Sequence, residues 1–174
     1  YCKIKSDDYF KHKLKQSIEF LIKNFTTNDS GLMGSAYDAD SDGVEGKYYV
    51  FSYDEIKHLE DIDKFFEIDT KGNWENKIIL IEKKLPPKDL IKKLMNIRLK
   101  KNKPFFDKKI QLDLNCLWIS SLVAANEILP EKKYLEQAET YFIKIEKLFL
   151  DKGIHHSYSK NLVFLEDYAF LINA

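Results

Sequence analysis

Residues 38 to 51 read DADSDGVEGKYYVF. Asp38, Asp40 and Asp42 alternate and Gly43 follows, which matches positions one, three, five and six of a calcium loop. Such a loop closes with a bidentate glutamate at position twelve, and here that position is Tyr49. Long flanking helices are missing as well, because short strand patterns border the stretch. Two readings remain: a turn whose aspartates cap backbone amides, and the acidic rim of a cavity. A second acidic site, Glu166-Asp167-Tyr168, opens a helical pattern. Carboxylates there are favoured by the unsatisfied amides of a first turn, so capping is a complete structural account of them. In GNWE, Trp74 and Glu75 set an aromatic ring beside a carboxylate. They either offer a ligand a ring face and an acceptor, or anchor an excursion of the chain on the core. His155 and His156 are neighbours, and in a strand they would point to opposite faces. No third ligand has suitable spacing, so neither a metal site nor a cofactor is expected. KKLMNIRLKKNK is a basic, partly amphipathic helix that reads as a solvated outer face.

Composition narrows the classes. The 174 residues suffice for one domain with a core, and 44% of them are hydrophobic. Lys+Arg and Asp+Glu both number 28, so no overall field draws the chain to nucleic acid or to an acidic membrane. No apolar run approaches the roughly 20 residues that span a bilayer. The two cysteines, Cys2 and Cys116, form no disulfide framework, which points to a reducing, cytoplasmic setting. The chain begins without Met and its last stretch, FLEDYAFLINA, is an apolar helical pattern that simply stops. Both features point to a piece of a longer polypeptide.

The elements that must position these residues follow from periodicity. Phe10, Leu14, Ile18, Leu21, Ile22 and Phe25 make one apolar stripe, predicting a helix over 7–25. Short strands are expected at 32–38 and 47–52, around the acidic turn. Ser52 and Glu55 have capping-box spacing for a short helix over 53–59, with another near 60–67. KIILIEK reads as a strand, Pro86 and Pro87 open a helix running to about 101, and NKPFFDKK reads as a loop. From Asp113 to Leu129 apolar residues fall all round, the mark of an inner helix, and Pro130 ends it. From Lys133 to Leu150 they form one stripe, the mark of an outer helix. GIHHSYSKNLV reads as a small hairpin. Alternation of one-sided and all-sided helices predicts an all-α fold, helical hairpins of an incomplete α/α toroid with short β-hairpins in the connections, with a simple helical bundle as the alternative.

Four blocks then resemble a known family. GSAYDADSDGVEGKYYVFSYDEI, GNWENKIIL, KKNKPFFDKKI and FLEDYAFLI occur in the order of the motifs of the YyaL / spermatogenesis-associated protein 20 family. Asp38, Asp40, Glu45 and Gly46 match the first motif and Asp42 does not. The resemblance implies a cytoplasmic or organellar protein with a thioredoxin-like domain followed by an (α/α)6 barrel similar to six-hairpin glycosidases. Residues 1–174 would be a middle piece of that single barrel domain, with the thioredoxin-like domain absent from this chain. The sequence departs from the family pattern where QLDLN carries Leu114 in place of a Trp, and where Lys108 replaces the second Asp after Asp107.

The expected function is therefore carbohydrate processing or carbohydrate binding through an acidic barrel cavity. Glycoside chemistry needs two carboxylates flanking one bond, and Asp38, Asp40, Glu166 and Asp167 are the candidates for that acid–base role. Glu45, Trp74, Asp107, Asn115 and Tyr168 are the candidates for substrate binding. The alternative is a non-catalytic interaction or scaffold barrel acting with the thioredoxin-like domain. Expected partners are a carbohydrate and the rest of the parent polypeptide, with neither nucleic acid nor membrane.

Overall fold

A computed structural model describes residues 4–151, 153–157 and 162–174. About 49% of the chain is helical, in seven α-helices among the described residues, and the strands are few and short. No helix among the described residues is long and apolar enough to cross a membrane. The chain divides into two compact units, one formed by residues 1–36 and 106–174, the other by 37–105.

The first unit is mostly helical. α1 (Asp8–Phe25) follows the expected stripe, and Asp7 caps it by accepting from the amides of Tyr9 at 3.0 Å and Phe10 at 3.3 Å. After a turn comes β1 (Gly34–Tyr37). The inner helix α5 (Leu112–Ile128) packs against α6 (Lys133–Ile145) and against α7 (Leu165–Asn173). α6 continues as a π-helical turn over Glu146–Leu150. The core gathers Leu32, Leu112, Cys116, Leu122, Ile145 and Phe149, with the Trp118 and Tyr141 rings edge to face at 6.2 Å.

Asn115 fastens the start of α5. It is wholly buried, its Oδ1 accepts from Met33 N at 2.8 Å, and its Nδ2 donates to Met33 O at 3.0 Å and to Gln111 O at 2.8 Å. The amide thus acts as a strand partner for Met33, satisfying backbone groups that water cannot reach.

The second unit holds three pairs of short elements. β2 (Asp40–Ser41) and β3 (Val44–Glu45) form an antiparallel hairpin closed by Asp42 and Gly43, both with positive φ (54° and 70°). This is the type I′ arrangement that suits an Asp-Gly pair. α2 (Tyr53–Ile56) and α3 (Ile62–Phe65) are single turns, and β4 (Phe66–Glu67) pairs with β5 (Ile81–Glu82). α4 (Lys88–Arg98) buries Leu90 and Leu94. Both α4 residues join a separate core with Phe51, Ile56, Ile62 and Ile78. The capping box forms as read from spacing. Ser52 N donates to Glu55 Oε2 at 2.7 Å, and Glu55 N donates to Ser52 Oγ at 3.3 Å.

Two strand expectations are corrected. Residues 47–52 form turns rather than a strand, because the acidic stretch closes its own hairpin inside β2–β3 and leaves only a Phe51–Ile78 bridge. The second half of NKPFFDKK, expected as a loop, lies in β6 (Phe106–Ile110), which pairs with β1 far earlier in the chain. α5 is also less enclosed than an inner helix should be, since Leu114, Leu117 and Val123 are each 38% exposed.

Asn115→Ala should cost about 3 kcal/mol, because Met33 would keep a buried amide and carbonyl with no partner. Thermal unfolding should show a melting temperature lower by roughly 6–12 °C for a chain of this size.

Candidate functional site

Among the described residues, one group of His, Cys, Asp or Glu side chains brings three ligand atoms together: Asp113, His156 and Asp167, all within 4.8 Å of one another. They belong to the first unit. Asp113 lies in the first turn of α5, and Asp167 lies in the first turn of α7. His156 sits on the segment before α7, whose backbone is held at both sides. Leu112 N donates to His156 O at 2.9 Å, and His156 N donates to Leu162 O at 2.6 Å. His156 Nδ1 is 2.9 Å from Asp167 Oδ1 and 4.0 Å from Asp113 Oδ1. Its Nε2 is 2.8 Å from the Gln111 amide, and its ring meets Phe164 edge to face at 4.8 Å.

Asp167 has no exposed surface, so an unpartnered carboxylate there would be costly. Its second oxygen accepts from Phe164 N at 2.8 Å, the reach of an acidic residue at the third helical position back to the cap amide. The capping role read from sequence is thus present, and His156 is added to it. Spacing misses this cluster because its members come from three separate segments. Sequence carries only half of this signal: His156 stands beside His155, and no local pattern marks Asp113.

The same two carboxylates act on Cys116. Burial, and then the charges of Asp113 and Asp167, push its thiol up to about 12. Cys116 is free and wholly buried, and Cys2 lies outside the described residues.

The second unit carries a groove of about 500 Å³. Glu45, Glu55 and Glu75 line it with Lys47, Lys77, Lys101, Ser52 and the Trp74 ring. The ring is set by a tight turn. Trp74 and Lys77 are bridged antiparallel across Glu75 and Asn76, both with positive φ (47° and 59°). A Cβ on Gly72 would stand 2.6 Å from the backbone of Asn76 and Lys77, so only glycine fits there. The Asn73 side chain pairs with Ile79, accepting from its amide at 2.8 Å and donating to its carbonyl at 2.9 Å. The outer edge of the Trp74 ring lies over Gly46, where a Cβ would be 3.1 Å away. The EGK and GNWE blocks therefore meet at this groove.

Lys101 Nζ closes one side of the groove. It donates to Val50 O at 2.6 Å and lies 3.1 Å from Glu55 Oε1. Burial alone would raise the Glu55 carboxyl, but the Ser52 amide and the Lys101 ammonium outweigh it and hold the group below the usual glutamate range.

The remaining sequence candidates fall as follows. Asp38 is exposed, and its Oδ1 accepts from Asp40 N at 3.2 Å. Asp40 is exposed in β2. Asp42 meets Lys47 and Asn102, each at 2.9 Å, which lowers its carboxyl below the ordinary aspartate range. Asp38 and Asp42 thus brace the hairpin and its neighbours, as the capping-turn reading of the acidic stretch expects. Asp107 accepts from Lys109 N at 2.9 Å. Glu166 and Tyr168 are exposed on α7, either side of Asp167. Asn115 is corrected: a wholly buried amide bonded to backbone does not reach a substrate. Asp38 and Asp40 lie in one unit and Asp167 in the other.

No protein-family model matches the chain, and no curated protein is significantly similar to it.

Two measurements check this description. In a Cys2→Ser variant, Cys116 should resist thiol reagents in the folded protein and react on unfolding, because burial withholds both access and thiolate. Glu55→Gln should destabilise the chain by about 1 kcal/mol at neutral pH. A lowered carboxyl stabilises above the unfolded glutamate value of about 4.3 and loses that contribution as pH falls through its folded value. The gap between wild type and variant in denaturant titrations should therefore close below about pH 4.

Proposed function

We propose that this chain binds carbohydrate, and that the sugar lies in the groove of residues 37–105 against Trp74. The observation that carries this reading is the meeting of Glu45 and Trp74, both singled out from sequence as substrate-binding, in one groove with Glu75. A sugar ring offers apolar C–H faces and a rim of hydroxyls. A half-exposed indole suits the first, while carboxylates, ammonium groups and the Ser52 hydroxyl suit the second. The volume falls within the range of small-molecule sites. Resemblance to the YyaL / spermatogenesis-associated protein 20 family supports the same ligand class, since two of the quoted blocks supply the groove. Binding is favoured over hydrolysis because the Asp38 carboxylate accepts from a backbone amide of its own turn.

The wider reading keeps the family frame. The helices would be hairpins of an (α/α)6 toroid in a cytoplasmic protein that also carries a thioredoxin-like domain. Leu165 and Ile172 of α7 are 80% and 85% exposed, beside Leu114 and Leu117 at 38%. Apolar side chains so displayed suit further helices of the parent polypeptide, which also favours the scaffold reading for the first unit.

Indole fluorescence gives the test. Neutral sugars, amino sugars and sugar phosphates are titrated into the wild type and a Trp74→Phe variant; Trp118, buried in the other unit, serves as the internal reference. One class should change the emission of the wild type only, and Trp74→Ala should weaken binding by about tenfold or more, the effect of about 1.4 kcal/mol. A folded wild type that responds to none of the three classes defeats the reading.

A further inference from the structure

Hydrogen-bond accounting around His156 fixes one of its protons. Ser35 Oγ is 2.6 Å from the Lys109 carbonyl oxygen and 2.6 Å from one end of the Gln111 side-chain amide. A hydroxyl has a single hydrogen and a carbonyl oxygen only accepts, so that hydrogen goes to Lys109. The amide must then present its NH2 to Ser35, because the opposite choice leaves two oxygens in contact with no hydrogen between them. Which end of an amide is which is assigned from such networks. The Gln111 oxygen consequently faces His156 Nε2 at 2.8 Å, and Nε2 must carry a hydrogen.

The other ring nitrogen, Nδ1, faces Asp167 Oδ1 at 2.9 Å and Asp113 Oδ1 at 4.0 Å. A neutral ring with its hydrogen on Nε2 aims a lone pair from Nδ1 at two carboxylates. That arrangement is repulsive unless a positive centre, either a second ring proton or a bound cation, lies among the three atoms. We propose that this centre is a divalent transition-metal ion held by His156 Nδ1, Asp113 and Asp167.

The surroundings suit an ion. Gln111 takes the hydrogen on the far nitrogen, which fixes the tautomer a metal-binding imidazole needs. The Phe164 amide holds the second oxygen of Asp167. Asp167 is wholly buried, while the His156 and Asp113 side chains are 20% and 19% exposed, which leaves an open side for entry and for water. One imidazole with two carboxylates suits zinc or manganese, whereas calcium prefers oxygen ligands alone and copper(I) prefers sulfur. The ion would tie the first turn of α5 to the first turn of α7 through the segment between α6 and α7. None of this depends on the sugar reading, which concerns the other unit.

Zinc itself is the probe. Tag-free protein is stripped with a chelator, dialysed and titrated with zinc chloride by calorimetry, with thermal unfolding alongside. One equivalent should bind and raise the melting temperature. Asp113→Asn, at a partly exposed position, should keep the helical circular dichroism and abolish the stoichiometric uptake. Gln111→Ala should weaken zinc about tenfold by releasing the ring. Cobalt in place of zinc should show visible absorption that Asp113→Asn removes. Failure of the folded wild type to take up zinc or cobalt overturns the proposal and leaves a proton on Nδ1. Uptake unchanged in Asp113→Asn overturns it equally, since the ion would then sit elsewhere.

Discussion

The first unit depends on one constraint: every polar group around the start of α5 must be satisfied without water. Asn115 meets it for Met33 by standing in for a strand, with hydrogen bonds to both backbone groups of that residue. Leu112 N, at the helix start, donates to His156 O, and Gln111 is bridged to Ser157. Three distant segments therefore converge on one helical turn. β1 and β6 bring two of them, and Ser35 ties β1 to β6 through the Lys109 carbonyl. Apolar packing along α5, from Leu112 through Leu122, then makes the turn dry enough for these bonds to matter.

That dryness explains the chemistry displayed there. Asp167 is a carboxylate with no exposed surface; the Phe164 amide donates to one of its oxygens, and His156 Nδ1 stands 2.9 Å from the other. Cys116, one turn along α5 from Leu112, lies in the same field, and its thiol is held far from ionisation. The carboxylates of the second unit live differently. Asp38 and Asp42 are exposed and serve their own hairpin, while Glu55 caps α2 and pairs with Lys101. Asp38 and Asp42 thus sit exposed at a turn, Glu55 and Asp113 are partly buried, and Asp167 is wholly buried.

Local chemistry made much of this legible in the sequence. The stripe of α1, the Ser52–Glu55 box, the Pro87 entry to α4 and the end of α5 at Pro130 are all set by neighbours within a few residues. β6 was not legible, because FDKKI owes its extended form to pairing with β1, a contact of high sequence separation. The I′ turn was legible in principle, since Asp42-Gly43 is its strongest short signal. The acidic turn itself is expected from sequence, but its strands are the two-residue β2 and β3 close around Asp42-Gly43 rather than segments outside the stretch. His156 shows the same limit at the site. Its neighbour in sequence is another histidine, whereas its partners arrive from the first turns of two helices. Trp74 and Glu45 each stand in a local block, and the fold sets the two blocks side by side.

The turn after Trp74 sets part of the groove wall. Glu75 and Asn76 both take positive φ, a conformation that costs non-glycine residues on the order of 1–2 kcal/mol. Asparagine bears it best, and glutamate has no local hydrogen bond to soften it. Glycine at both positions would serve the Trp74–Lys77 bridge equally well and with less strain. A glycine would, however, remove the Glu75 carboxylate from the groove. Gly72 shows that the same loop does use glycine where backbone proximity demands it. Stability therefore does not explain the glutamate. Its place on the wall beside the indole gives it a use, if the wall has something to hold: an acceptor for hydroxyl hydrogens next to a ring face is what the proposed sugar would use.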